Sequence, residues 1–270
     1  MTVPTQAPPT SASLQGAIGN FPFRLQMAGG WIDQPFVSEA HPEPPGSMVV
    51  VSMHPTVRYM ERSGMATGTR RVAQQLWGDK LPSGRPPEEL VRELYQAENE
   101  GQADPSGSQD MCGLIYPGIS RLDYDASVEG GWFPSHIEAT TDPQVTEWLE
   151  QVVHLVPLGP RPDGYNPLLT KNLDPAWVKR LGDAGAACYD AIVAMDLAAL
   201  GESLNENSRA WRAILPNIYE HPTIKSDLWG LLQGYMDSYP GAMQSGCGGG
   251  YIIVAADEPP AGSSRISVRA

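Results

Sequence analysis

The sequence is poor in the residues that staple or wire a small domain. Its three cysteines, Cys112, Cys188 and Cys247, show no metal-ligand spacing. Their odd number argues against a secreted disulfide scaffold. The five histidines are scattered, without a His-x-x-x-His pair, so a zinc site is not expected. No apolar run approaches the roughly 18 residues that a bilayer crossing needs. The N-terminal residues lack a basic segment followed by an apolar one, so no signal peptide is expected and a cytoplasmic protein is. Excess positive charge is missing too. A net charge of −13 argues against non-specific contact with nucleic acid or an anionic membrane. It does not exclude a phosphorylated small molecule, because backbone amides of a glycine loop hold phosphate inside an acidic protein.

What is present is enough for a real core: 270 residues, 41% of them hydrophobic. Residues 1–19 are rich in Pro, Ser, Thr and Gln and are expected to form a disordered tail. Residues 21–28 alternate as a strand that runs into the Gly29-Gly30 turn. A loop with four prolines follows, and a strand is expected over 48–60, bent at Pro55. Helices are expected over 66–77, with Thr67 or Thr69 as N-cap, and over 87–100, with Pro87 in its first turn. A short helix starts at Asp110, and residues 119–124 read as a strand. Residues 146–158 are ambiguous, with 152–158 favouring a buried strand. The clearest helical period runs over 175–204, followed by helices at 208–218 and 223–239 and a last strand over 251–256. The pattern is α+β, strand-rich early and helix-rich late.

Four stretches carry chemistry. Arg24-Leu-Gln-Met-Ala-Gly-Gly-Trp-Ile-Asp33 sets a cation in an apolar strand, ten residues inclusive from a carboxylate. An unpaired charge there is costly. Ser106-Gly107-Ser108-Gln109-Asp110 brings a carboxylate after a Gly/Ser turn. Ser245-Gly246-Cys247-Gly248-Gly249-Gly250 is a glycine cluster that enters the apolar run from Tyr251 to Ala256. A fourth, Ser63-Gly64-Met65-Ala66-Thr67-Gly68-Thr69-Arg70-Arg71, opens a helix. Each has a plainer reading: an edge-strand arginine, a helix-terminal acid, a hairpin turn, an ordinary helix cap. Together they suit phosphoryl transfer to a hydroxyl, which needs a base, a cation, an acceptor anchor and glycine loops for phosphate.

Taken in their order along the chain, the stretches resemble the signature motifs of the galactokinase, homoserine kinase, mevalonate kinase and phosphomevalonate kinase (GHMP) superfamily. The Ala-Gly-Gly-Trp-Ile-Asp version looks most like L-fucose kinases and heptose-phosphate kinases. The resemblance implies an α+β GHMP kinase fold. Its N-terminal half, residues 20–135, would be a shortened relative of ribosomal protein S5 domain 2. Its C-terminal half, residues 136–270, would be ferredoxin-like. It implies an ATP-dependent, Mg²⁺-assisted kinase acting on a sugar or polyol hydroxyl, the anomeric one included. Asp110 would be the base and Arg24 the activating cation. Asp33, Gly30 and Trp31 would contact the acceptor, Trp31 alternatively packing in the core. Gly64, Thr67, Gly68, Thr69, Ser106, Gly107, Ser108, Gly246, Gly248 and Gly249 would hold nucleotide and phosphate. Thr69 with Glu98 or Glu61 would serve the metal. Small-molecule substrate and nucleotide are the expected partners, with neither nucleic acid nor membrane, and a homodimer is left open. The chain departs from the superfamily in two ways. It lacks the Ser-Ser pair of the second motif, and only 31 positions separate Asp33 from Gly64. The alternatives are a protein of this fold that binds sugar or nucleotide without turnover, and ATP-dependent decarboxylation.

Overall fold

The computed structural model describes residues 19–270. The expected N-terminal tail lies outside the described residues except for Gly19. The first sheet grows from the alternating apolar segment β1 (Phe23–Gln26) and the unbroken run of β2 (Gly46–Met53), buried at every position. With β3 (Ile119–Tyr124) and β4 (His136–Thr140) they form an antiparallel sheet in the order β1-β2-β3-β4. Arg24 pairs with Ser52 in that register. The strand expected to continue to Met60 stops at Met53, before Pro55, which has no N–H for a ladder. Strand β4 has no counterpart in the sequence reading. It is a largely exposed edge of polar residues and carries the sheet past residue 135.

The second sheet has the order β6-β7-β5-β8, built from β5 (Val153–Gly159), β6 (Gly241–Gln244), β7 (Gly250–Ala255) and β8 (Ser264–Arg265). Short β6 was also unforeseen. The helices are α1 (Pro35–Ser38), α2 (Thr67–Trp77), α3 (Pro87–Asn99), α4 (Gln109–Ile115), α5 (Pro143–Val152), α6 (Pro175–Ala194), α7 (Leu197–Ile214), α8 (Asn217–Glu220) and α9 (Leu228–Ser238). The single helical region expected over 175–204 is two helices. Met195 takes a left-handed φ of 54°, and the Asp196 side chain caps α7 by accepting from the Ala199 amide at 3.0 Å. The separate helix expected at 208–218 is the end of α7 followed by the single turn α8.

The ambiguous 146–158 stretch resolves into α5 and then β5. Asp142 caps α5, and β5 lies beside β7 in the second sheet. One hydrophobic cluster joins both sheets, running from Phe21 and Leu25 through Met48 and Leu114 to Trp211 and Ile253. Two contacts fix the stretch from Arg24 to Asp33 to this core. The Trp211 indole donates to the Gly30 carbonyl at 2.9 Å, and the Gly29 amide donates to Asn207 Oδ1 at 2.8 Å. Helix α7 thereby holds the turn that carries Asp33.

Candidate active site

Period-two alternation along β1 sends Arg24 and Gln26 to one face. That face forms a wall of a cleft of about 310 Å³, closed by the turn at Trp31 and Asp33, the start of α2, the end of α3, the start of α4 and Ser245–Cys247. The helix start at α2 does not match the expected cap. Its N-cap is Ala66, at a left-handed φ of 53° and with no polar side chain to cap the turn, while Thr67 and Thr69 lie inside the helix with their hydroxyls engaged elsewhere. Thr67 Oγ1 accepts from the Arg62 amide at 3.2 Å. Thr69 Oγ1 faces Glu98 Oε1 at 3.0 Å and Asp110 Oδ2 at 3.2 Å. The first amides of α2 therefore keep their capacity for an anion.

Arg24 is buried and forms an ion pair with Asp110, and its Nη1 donates to the Gly64 carbonyl at 3.2 Å. Burial pushes the guanidinium down to about 10, with Asp33 and Glu98 opposing, so it stays charged at neutral pH. Gly113 allows this placement: a Cβ there would lie 2.0 Å from Arg24 Cγ. Asp33 is also buried, and Gln109 Nε2 donates to its Oδ1 at 2.9 Å. Its Oδ2 has no hydrogen-bond partner. Burial pushes this carboxyl up to about 6, with Arg24 and Gln109 opposing. Burial likewise raises Glu98, against Thr69 and Arg24.

The Thr69 hydroxyl has one proton for two carboxylates, so one of the two contacts lacks it at any moment. Glu98 Oε2 has no partner at all. This surplus of hard, under-satisfied oxygens fits Mg²⁺, which takes one or two carboxylates and completes its shell with water and phosphate. Among the described residues no cluster of three or more His, Cys, Asp or Glu side chains offers a protein-only cage. Glu61 does not join the group; it pairs with Arg71 at 2.6 Å outside the cleft.

Of the residues expected from sequence, the cleft brings together Arg24, Trp31, Asp33, Gly64, Thr67, Gly68, Thr69, Glu98, Ser106, Gly107, Asp110 and Gly246. Besides Glu61, four lie outside its lining. The Gly30 carbonyl is held by Trp211, and the buried Ser108 hydroxyl meets Tyr124 Oη at 3.0 Å. Gly248 packs against the Tyr165 ring and Gly249 against the backbone of Arg161. The sequence reading assigned no role to Gln34, Arg62 and Arg161, nor to Gln26, Gln109 and Ser245, which stand inside the stretches it singled out. Gln26 was within reach, two residues from Arg24 on a strand. Arg161 was not: it enters from a loop, and its Nε donates to the Cys247 carbonyl at 2.8 Å.

The two glycine stretches meet here. The Ser245 hydroxyl donates to the Ser63 carbonyl at 2.8 Å, and Gly64, at φ 79°, runs so close that a Cβ would fall 2.0 Å from the Ser245 carbonyl oxygen. A second cavity, of about 440 Å³, shares Thr67 with the cleft and is lined by Arg58, Tyr59, Arg70 and Arg71 together with the carboxylates of Glu61 and Asp79.

No family model matches the chain, and no curated protein does. Solved structures do. The chain is similar to the L. major mevalonate kinase in complex with R-mevalonate, with a TM-score of 0.56 at 12% identity over 93% of this chain and 95% of that one. A D-glycero-D-manno-heptose 1-phosphate kinase from Bacteriodes thetaiotaomicron gives 0.52 at 11% identity, over 93% and 96%. The mevalonate kinase of Methanococcus jannaschii gives 0.51 at 10% identity, over 88% and 89%. The chain has the GHMP kinase fold.

Proposed function

We propose that the protein transfers the γ-phosphoryl group of ATP to a hydroxyl of a sugar or polyol. The observation that carries this reading is the convergence of Arg24, Asp33, Thr69, Glu98 and Asp110 on one cleft beside an uncapped helix start. The cleft thus holds a carboxylate, a cation and an anchor within one substrate's reach.

Asp110 receives the proton of the attacking hydroxyl or orients that hydroxyl. Arg24, held by Asp110 and the Gly64 carbonyl, neutralises the charge that develops on the acceptor oxygen. Asp33 Oδ2, buried and without a partner, accepts from a second acceptor hydroxyl. The amides of residues 64–69 cradle the donor phosphates, and the cavity lined by Arg58, Arg70 and Arg71 takes the rest of the donor. Thr69 and Glu98 would hold Mg²⁺, which when bound neutralises phosphate charge.

The test is acceptor-dependent ADP release from Mg-ATP across a panel of sugars and polyols. Release that requires one acceptor class supports the kinase. One observation favours binding without turnover: the Phe23 ring, beside the donor cavity, is covered by the Arg70 guanidinium at 4.3 Å, which removes an aromatic face for a purine. That reading predicts stabilisation by a sugar with no response to any nucleotide.

A further inference from the structure

The cleft does not close at Trp31. A cavity of about 660 Å³ adjoins it, and Trp31, Gln34, Glu98 and Ser106 line both. The inner cleft, at about 310 Å³, is at the lower end of small-ligand sites, which run from roughly 300 to 1,000 Å³. It must hold the reacting hydroxyl together with the transferred phosphoryl group. An acceptor of more than one ring therefore has to extend outward.

The outer cavity has its own chemistry. Trp31, Phe36 and Trp132 supply aromatic surface, one face of Phe36 being covered by Lys171 Nζ at 4.5 Å, while Gln34, Gln102 and Lys171 supply polar groups. Trp31 stands where the two cavities join, at a left-handed φ of 80° that is unusual for a bulky residue, and its ring lies 6.3 Å from Phe36. The turn pinned by α7 imposes that conformation and sets the indole between the cavities. Charge narrows the choice of occupant. Glu39, Glu98 and Asp104 outnumber Lys171 in the lining, which disfavours a phosphorylated or carboxylated group. Flat apolar faces interleaved with amides and carboxylates suit a pyranose ring, whose C–H face packs on an aromatic while its hydroxyls bond to the polar groups.

We propose that the acceptor is an oligosaccharide. Its reacting sugar occupies the inner cleft, and a neighbouring sugar stacks in the outer cavity against Trp31, Phe36 and Trp132. This rests on the sugar-kinase reading of the cleft.

Calorimetric titration of the whole protein, without nucleotide, compares glucose, galactose and mannose with maltose, cellobiose, lactose and melibiose. At least one disaccharide is expected to bind about ten-fold or more tightly than either component sugar, and Phe36→Ala and Trp132→Ala should each remove most of that advantage while the monosaccharide affinity stays within about two-fold. Gln102→Ala, at the exposed rim, should weaken the disaccharide alone, and it serves if an aromatic variant fails to fold. Monosaccharides that bind as tightly as every disaccharide would overturn the outer subsite and leave the sugar-kinase reading standing. No binding of any sugar, in a protein that Mg-ATP still stabilises, would overturn both.

Discussion

Asp110 tests the chemistry at the scale of one side chain. Asp110→Asn keeps an oxygen for Arg24 and Thr69 but loses the basic carboxylate. Turnover should fall by about 10²–10⁴-fold, while the melting temperature stays within about 5 °C. A near wild-type rate would remove Asp110 from the mechanism. Asp33 adds a pH signature. Its folded carboxyl sits at about 6 against an ordinary 3.8, so the folded state holds the proton more tightly. The stability it contributes is whole below the unfolded value and is lost as pH rises through about 6. Urea unfolding of wild type against Asp33→Asn should show a difference that changes over this window by up to about 3 kcal/mol. A difference flat with pH would contradict the burial. Asp33→Ala should weaken acceptor binding more than nucleotide binding, and equal losses by calorimetry would end its role as anchor. These residues were legible because a cation in an apolar strand and acids beside glycine turns are expensive or unusual. Gln109, which holds Asp33, was visible beside Asp110, but its contact joins residues 76 positions apart. Arg62 and Arg161 had no local pattern to announce them.

Elements explain why the site is assembled. Gly64 joins the glycine turn to the Ser245 loop, and both its φ of 79° and the nearby Ser245 carbonyl exclude a side chain. Gly64→Ala should therefore lower the melting temperature and weaken nucleotide binding together. A variant that loses stability with unchanged nucleotide affinity would uncouple the turn from the phosphate role. Away from the site, Met195 adopts left-handed backbone between α6 and α7 while 42% exposed, so Met195→Gly should stabilise by about 1 kcal/mol in thermal unfolding. Elements with a strong period or an unbroken apolar run, such as α2, α3, α6 and β2, could be read from the chain. The break at Met195 could not, because methionine is not a residue that signals a left-handed cap. Strand β4 is polar and exposed, and β6 has only four residues, so neither offered a period. The segment around Val57–Tyr59 was apolar enough to suggest a strand. Tyr59 instead buries its ring against Phe23 and Tyr251, so its hydrophobicity serves a loop.

At the scale of the whole molecule the two sheets share one core and meet at the cleft. Met60 donates its amide to Tyr251 Oη at 3.2 Å, and Ser245 reaches Ser63, so the glycine stretches tie the first sheet's loops to the second. Unfolding should accordingly be one cooperative transition by calorimetry, shifted upward by Mg-ATP; two separable transitions would contradict a shared core. The order of the motifs along the chain made this fold legible at 10–12% identity to the solved kinases. The aromatic cavity beyond Trp31 was not legible, because its walls come from four separate parts of the chain, around residues 31–39, 98–106, 132 and 168–171. The most direct test is ADP release from Mg-ATP by wild type and Asp110→Asn, run in parallel over one panel of mono- and oligosaccharides. Release by wild type that depends on a sugar, and disappears in the variant, is the predicted result. Sugar-dependent release at equal rates in both proteins, or none with any sugar although nucleotide binds, would contradict the account.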